Sequence, residues 1–76
     1  MMRQYTIILE PDPDEGGYTV TVPVLEGCIT QGDTVDQCIE HAHEAIDGYI
    51  KSLRAAGKPV PEEKEHPRMI TINVDV

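Results

Sequence analysis

The sequence has neither Trp nor Phe, 6 basic side chains against 14 acidic ones, and 2 cysteines among 76 residues. Each scarcity excludes something. Without Phe or Trp, the core has to be built from Ile, Val, Leu and Ala, with the 3 Tyr at its margin. A formal charge of −8 repels phosphates, so a nucleic-acid-binding face, which needs clustered Lys and Arg, is not expected. Cys28 and Cys38 are too few for a disulfide framework and are not spaced as C-x-x-C. They read as small buried thiols of a reducing compartment. There is no charged-then-apolar leader and no long apolar run, so the expected location is cytoplasmic, with neither secretion nor membrane insertion. The length implies a single domain over residues 1–76. Chains of this size bury only about 60% of their unfolded surface, and oligomerisation is a common remedy.

What is present is dense local punctuation. Residues Arg3 to Glu10 alternate, with Tyr5, Ile7 and Leu9 on one face, which reads as a strand. Pro11-Asp12-Pro13-Asp14-Glu15-Gly16-Gly17 is a turn by composition, and Gly17 supplies the reversal that a Cβ would hinder. Tyr18 to Val22 returns antiparallel, and Pro23 ends its pairing by removing a ladder donor. A corner from Pro23 to Gly27 leads to a shorter third strand around Cys28 to Gln31. Gly32 and Asp33 then lead into Thr34, the expected N-cap of a helix over Val35–Ala56, with Gln37 completing a capping box. Val35, Cys38, Ile39, Ala42, Ala45, Ile46, Tyr49, Ile50, Leu53 and Ala56 fall on one helical stripe. Gly57 stops the helix and Pro59 prevents its continuation. After a charged, Pro-rich connection, Ile70, Ile72, Val74 and Val76 alternate with polar residues, predicting a last strand parallel to the first and beside it. The expected architecture is α+β, ordered β-β-β-α-β: a small, mostly antiparallel sheet with one long helix on one face.

Chemistry is harder to find. Counting from Asp12, Gly17 falls where a calcium loop needs its glycine, but Pro23 stands where the bidentate Glu belongs. His41 and His43 project to different sides of the helix, and Cys38 lies on its buried stripe. No metal site or cofactor is therefore expected, and the three histidines read as solvated. Ser52, the lone serine, has no neighbouring base marked in the sequence, and no phosphate-cradling loop precedes a helix. No catalytic residue is assigned, and an enzyme is the poorest class. The cluster Asp12, Asp14 and Glu15 at the first turn is the candidate partner-binding site, because an acidic tip steers a basic partner.

Taken in order, Gly17-Tyr18, Val22-Pro23, Leu25-x-Gly27-Cys28 and Thr30-Gln31-Gly32-Asp33-Thr34, followed by an amphipathic helix and Val60-Pro61, resemble the HicB family of antitoxins. The resemblance spans essentially the whole chain. It implies a partial RNase H-like fold lacking the enzyme's carboxylate cluster, and strand one, with Tyr5-Thr6-Ile7-Ile8 at its middle, indeed carries no Asp there. It further implies a partner: HicA, a small basic toxin that cleaves mRNA with a histidine and whose active site HicB domains cover. Gly17, Tyr18, Pro23, Gly27, Gly32 and Thr34 are its structural signature here. Many HicB proteins continue into a DNA-binding domain, whereas this sequence ends at Val76, so the expected form is a short one that does not bind operator DNA directly. Two other functions stand beside the antitoxin: a self-assembling regulatory or structural protein without a toxin, and a degenerate RNase H-like nuclease. The missing carboxylates weigh against the last, since metal-assisted phosphodiester cleavage needs several convergent acids. A homo-oligomer is expected because so small a sheet exposes its edges.

Overall fold

The computed structural model describes residues 2–76. Three strands, β1 (Ile8–Pro11), β2 (Tyr18–Thr21) and β3 (Ile29–Gly32), precede one helix, α1 (Val35–Ala55). The strands pair antiparallel in the order β1-β2-β3, with Leu9 opposite Val20 and Val20 opposite Thr30. The chain is thus α+β, as its alternating and helical periodicities require.

That register puts Val20 at the centre of the inner face, fully buried against Cys38 and Ala42 of the helix, with Ile7, Leu9 and Tyr18 around it. A second cluster, Val22, Leu25 and Cys28, is closed by Tyr5, Ala45, Ile46 and Tyr49. Leu25 enters it because the corner after β2 folds tightly, with the Leu25 amide donating to the Val22 carbonyl and the Cys28 amide to that of Leu25. Tyr49 holds the corner down from the helix, its hydroxyl donating to the Glu26 carbonyl at 2.7 Å. Burying each of these aliphatic side chains contributes about 1.5–3 kcal/mol, so the two clusters carry most of the stabilisation. Both cysteines are free thiols within them, and burial pushes the Cys28 thiol up from its ordinary pKa.

The helix ends follow their sequence signals. Thr34 is extended, and its hydroxyl accepts from the Gln37 amide at 3.1 Å. The reciprocal half of the expected box falls one residue earlier, where the Gln37 side chain accepts from the Asp33 amide at 2.6 Å. At the other end Gly57 adopts a φ of 69°, its amide donates to the Arg54 carbonyl, and Lys58 donates to Leu53. That pair of bonds is a Schellman closure.

Two expectations fail here. Pairing of strand one begins at Ile8 rather than Arg3, because β2 ends at Thr21 and the corner at Pro23 leaves nothing opposite the earlier residues. Residues 3–6 are bonded instead to the segment after the helix. Arg3 donates to the Val60 carbonyl, Tyr5 to that of Pro61 at 2.7 Å, and the Thr6 amide to the Glu63 carboxylate at 2.8 Å. The expected fourth strand is not part of the sheet, and Ile70, Ile72 and Val74 are 78%, 72% and 67% exposed. Residues 60–63 are tied to residues 3–6 through side chains only, with no ladder between the two backbones. His66 bonds the Glu63 carboxylate through Nδ1 and lies 3.1 Å from the Gln4 side-chain oxygen through Nε2, and the arm from Pro67 onward is exposed.

Candidate functional site

The hairpin tip is built by Asp12. Its carboxylate accepts from the Asp14 amide at 2.9 Å and the Glu15 amide at 3.2 Å, an Asx turn that bends the chain without help from β-ladder bonds. The Gly16 amide closes the turn on the Asp12 carbonyl, and the Asp12 amide donates to the Gly17 carbonyl. Of the expected partner-binding residues, Asp14 and Glu15 are exposed, while Asp12 is half-buried with one oxygen committed to the turn.

Two of the three share a concavity. A hollow of about 250 Å³ is lined by Asp12, Glu15, Tyr18 and Thr19 on the hairpin, by Gln31 on β3, by Asp33 before the helix and by Gln37 and His41 on its first two turns. Asp14 does not line it. The hairpin can come this close because Gly17 and Gly32 are glycines. A Cβ on Gly17, whose φ is 69°, would lie 2.6 Å from the Gly32 carbonyl oxygen. A Cβ on Gly32 would lie 2.8 Å from the Cys38 sulfur and 2.9 Å from its backbone nitrogen. Turn, strand end and first helical turn are therefore stacked in backbone contact. Tyr18 packs beside Val20, and Thr34 starts the helix. Pro23 and Gly27 lie on the corner at the opposite end of β2, where they shape the fold rather than the hollow.

The hollow continues along the helix. His41 is half-buried and donates from Nδ1 to the Gln31 carbonyl at 2.5 Å, so it is not the freely solvated ring expected. His66 likewise is bonded, to Glu63 and Gln4. Beyond His41 a shallower depression brings in Thr30, Glu44 and Ala45. Asp36, Glu40 and Glu44, each four residues from the next, are exposed on the helix. Asp12, Glu15 and Asp33 in the hollow and Glu44 in the depression beside it thus form one acidic surface around His41. The sequence expectation stopped at the tip. Which of the helical acids meets the hairpin depends on the sheet register and the helix rotation, and only Glu44 borders His41.

A different carboxylate is held apart from this surface. Glu63 is 5% exposed at its side chain and accepts from both the Thr6 amide and, at 2.5 Å, the Thr6 hydroxyl. The Thr6 hydroxyl, helped by His66, holds its carboxyl down at about 2. It fastens the segment after the helix to strand one, and nothing in the local sequence separates it from Glu62 or Glu65.

Among the described residues, no three His, Cys, Asp or Glu side chains converge on a point that could hold a metal ion. No described helix is long and apolar enough to cross a membrane.

Comparison with known proteins places this geometry. The family model described as HicB-like antitoxin of bacterial toxin–antitoxin systems matches residues 5–73. A UPF0150 protein of Synechocystis is 49% identical over 59 residues, covering 78% of this chain and 73% of its own. Another UPF0150 protein, from Thermoplasma acidophilum, is 42% identical over 60 residues, 79% of this chain and 86% of that one. A protein named antitoxin HicB 1, from Photorhabdus laumondii, is 42% identical over 43 residues, 57% of this chain and 27% of its own.

Proposed function

Because this chain belongs to the HicB-like antitoxins of bacterial toxin–antitoxin systems, we propose that it neutralises a basic, HicA-type mRNA-cleaving toxin by covering the toxin's active site. The supporting observation is the acidic surface that the fold assembles from separate pieces of sequence. Asp12 and Glu15 of the hairpin and Asp33 at the helix start line one hollow, and Glu44 extends it along the helix. On a chain of charge −8, such a concavity attracts a basic surface and steers its approach. The role needs no chemistry from this chain. Occlusion alone suffices, since a nuclease whose active site is covered cannot admit RNA.

The chain acts in the cytoplasm, where mRNA is the toxin's substrate, and binds neither RNA nor duplex DNA itself. It also self-associates, because its small sheet leaves edge strands open and its last apolar residues uncovered. The antitoxin role is tested by titrating a purified HicA-type toxin with this protein while following cleavage of a defined mRNA. Cleavage should fall to background as a complex forms, and the complex should weaken as salt is raised. Absence of both complex and inhibition overturns the antitoxin reading. Divalent-metal-dependent RNA cleavage by the chain alone would replace it with the nuclease alternative.

A further inference from the structure

The molecule is longer than its helix. Its greatest extent is 49 Å, whereas 21 helical residues span about 32 Å. Its radius of gyration is 14.5 Å, against about 11 Å for a compact chain of this length. The difference matches an arm, residues 67–76, that is exposed along its whole course. The arm is no ordinary solvated tail. Ile70, Ile72, Val74 and Val76 alternate with Thr71, Asn73 and Asp75, so extended backbone puts four aliphatic side chains on one side. A polar, disordered tail has no use for that pattern, while a strand packed on one face requires it.

The body carries a matching vacancy. The helix packs chiefly on β3 and β2, and the β1 side of the inner face is only partly covered, with Tyr5, Ile7 and Leu9 half-buried. There Tyr5, Ile7, Ile39, Ala42, His43 and Ile46 line a largely apolar groove of about 180 Å³. Ile39 is 44% exposed although it lies on the helix's apolar stripe. The outer edge of β1 pairs with no strand among the described residues. Alongside it, the segment 60–63 is tied to strand one only as far as Thr6. The chain's own arm does not occupy this place: residues 67–76 are exposed throughout and belong to no strand.

We propose that the arm, residues 69–76, completes the sheet of a second copy of this chain, adding a strand to its β1 edge with Ile70, Ile72 and Val74 over the groove between Ile7 and Ile39. By symmetry the second copy's arm fills the same place in the first, giving a closed dimer by exchange. The proposal rests on the self-association put forward above and specifies its contact. Added main-chain hydrogen bonds satisfy the open edge, and the apolar groove sets the register.

The test uses the full chain and two measurements. Light scattering should give twice the monomer mass at micromolar concentration, and Ile72→Asp should give the monomer mass with unchanged helical circular dichroism. Because Ile72 is 72% exposed, this substitution leaves the body's core untouched. Hydrogen exchange should show the amides of residues 69–76 protected in the wild type, with protection rising as protein concentration rises. A monomeric wild type overturns both self-association and exchange. A dimer with an unprotected arm, or one that survives Ile72→Asp, keeps self-association and overturns exchange. Protection independent of concentration would mean that the arm folds onto its own sheet, and also overturns it.

Discussion

Replacing Gly32 with Ala tests whether the hairpin and the helix start are held in backbone contact. Gly32 has no positive φ, so Ala meets no backbone strain there, and in a strand Ala gains about 0.5–1 kcal/mol over Gly. Against this, the new Cβ would stand 2.8 Å from the Cys38 sulfur, 2.9 Å from the Cys38 nitrogen and 3.1 Å from its Cα. Two of those three atoms are backbone of the helix's first turn and cannot rotate aside. Overpacking of this kind costs about 1–3 kcal/mol. Because two backbone atoms cannot yield, the cost falls in the upper part of that range, roughly 2–3 kcal/mol, leaving a net loss of about 1–2.5 kcal/mol from a domain whose whole stability is about 4–11 kcal/mol. At about 4–8 °C per kcal/mol for a domain this small, Tm should drop by roughly 4–20 °C. Thermal unfolding followed by circular dichroism reads this directly. Adding Cys38→Ala removes the sulfur but not the nitrogen or Cα, so the double variant should be no more stable than Gly32→Ala. An unchanged or raised Tm, or full rescue by Cys38→Ala, would refute the close stacking of strand end on helix.

Other outcomes follow from the same geometry. Leu25→Ala, at a fully buried position, should cost about 2–5 kcal/mol in urea denaturation by leaving a cavity beneath the corner. Glu63 has its carboxyl held down at about 2, below the roughly 4.3 of a free Glu, so its stabilisation is intact above about pH 5 and drains as pH falls towards 2. Glu63→Gln should accordingly be less stable than wild type at neutral pH, and the gap should close in acid; a gap constant with pH would contradict the role given to the carboxylate. At the hairpin, Asp14→Asn with Glu15→Gln should slow association with a basic HicA-type toxin, most at low salt, while leaving Tm within about 0.5 kcal/mol equivalent. Asp12→Asn keeps the oxygen that accepts the Asp14 amide and should preserve the turn, whereas Asp12→Ala should lower Tm; equal melting of the two would show that the Asx turn contributes nothing.

Much of this was legible in the sequence where the signal is local. The helix over Val35–Ala55 followed from an apolar stripe and from Thr34, Gln37 and Gly57, whose roles depend on neighbours within four residues. The hairpin followed from Gly17 and the alternation on either side. What escaped was decided by contacts distant in sequence. Glu63 sits in a charged, Pro-rich connection that looks solvated, and only its approach to Thr6, 57 residues away, makes it a fastener. His66 was expected to be free for the same reason, and its partner Gln4 is 62 residues away. The alternation of residues 69–76 was read as a strand, but alternation states a preference for one apolar face, not which edge supplies the neighbours. The candidate site divided in the same way. The tip acids were visible as a cluster, whereas their meeting with Asp33 and His41 depends on the register of Tyr18 against Gly32.

The two proposed interfaces lie on different parts of the chain and have opposite physical character. The toxin-facing hollow is lined by Asp12, Glu15 and Asp33, and its attraction for a basic surface is Coulombic. The exchange groove is lined by Ile7, Ile39, Ala42 and Ile46, and its occupant is an aliphatic strand. Bringing together two copies that each carry a charge of −8 sets like charge against like, so the dimer forms by apolar burial against electrostatic resistance. Added salt screens both effects, with opposite consequences. Between low and physiological ionic strength, self-association should tighten while toxin binding loosens. If both are measured across a salt series on the same preparation, the slopes should have opposite signs. Slopes of the same sign would mean that one interface is not what its residues indicate: either the toxin is held mainly by apolar contact, or the arm's partner is a surface of opposite charge rather than another copy of this chain.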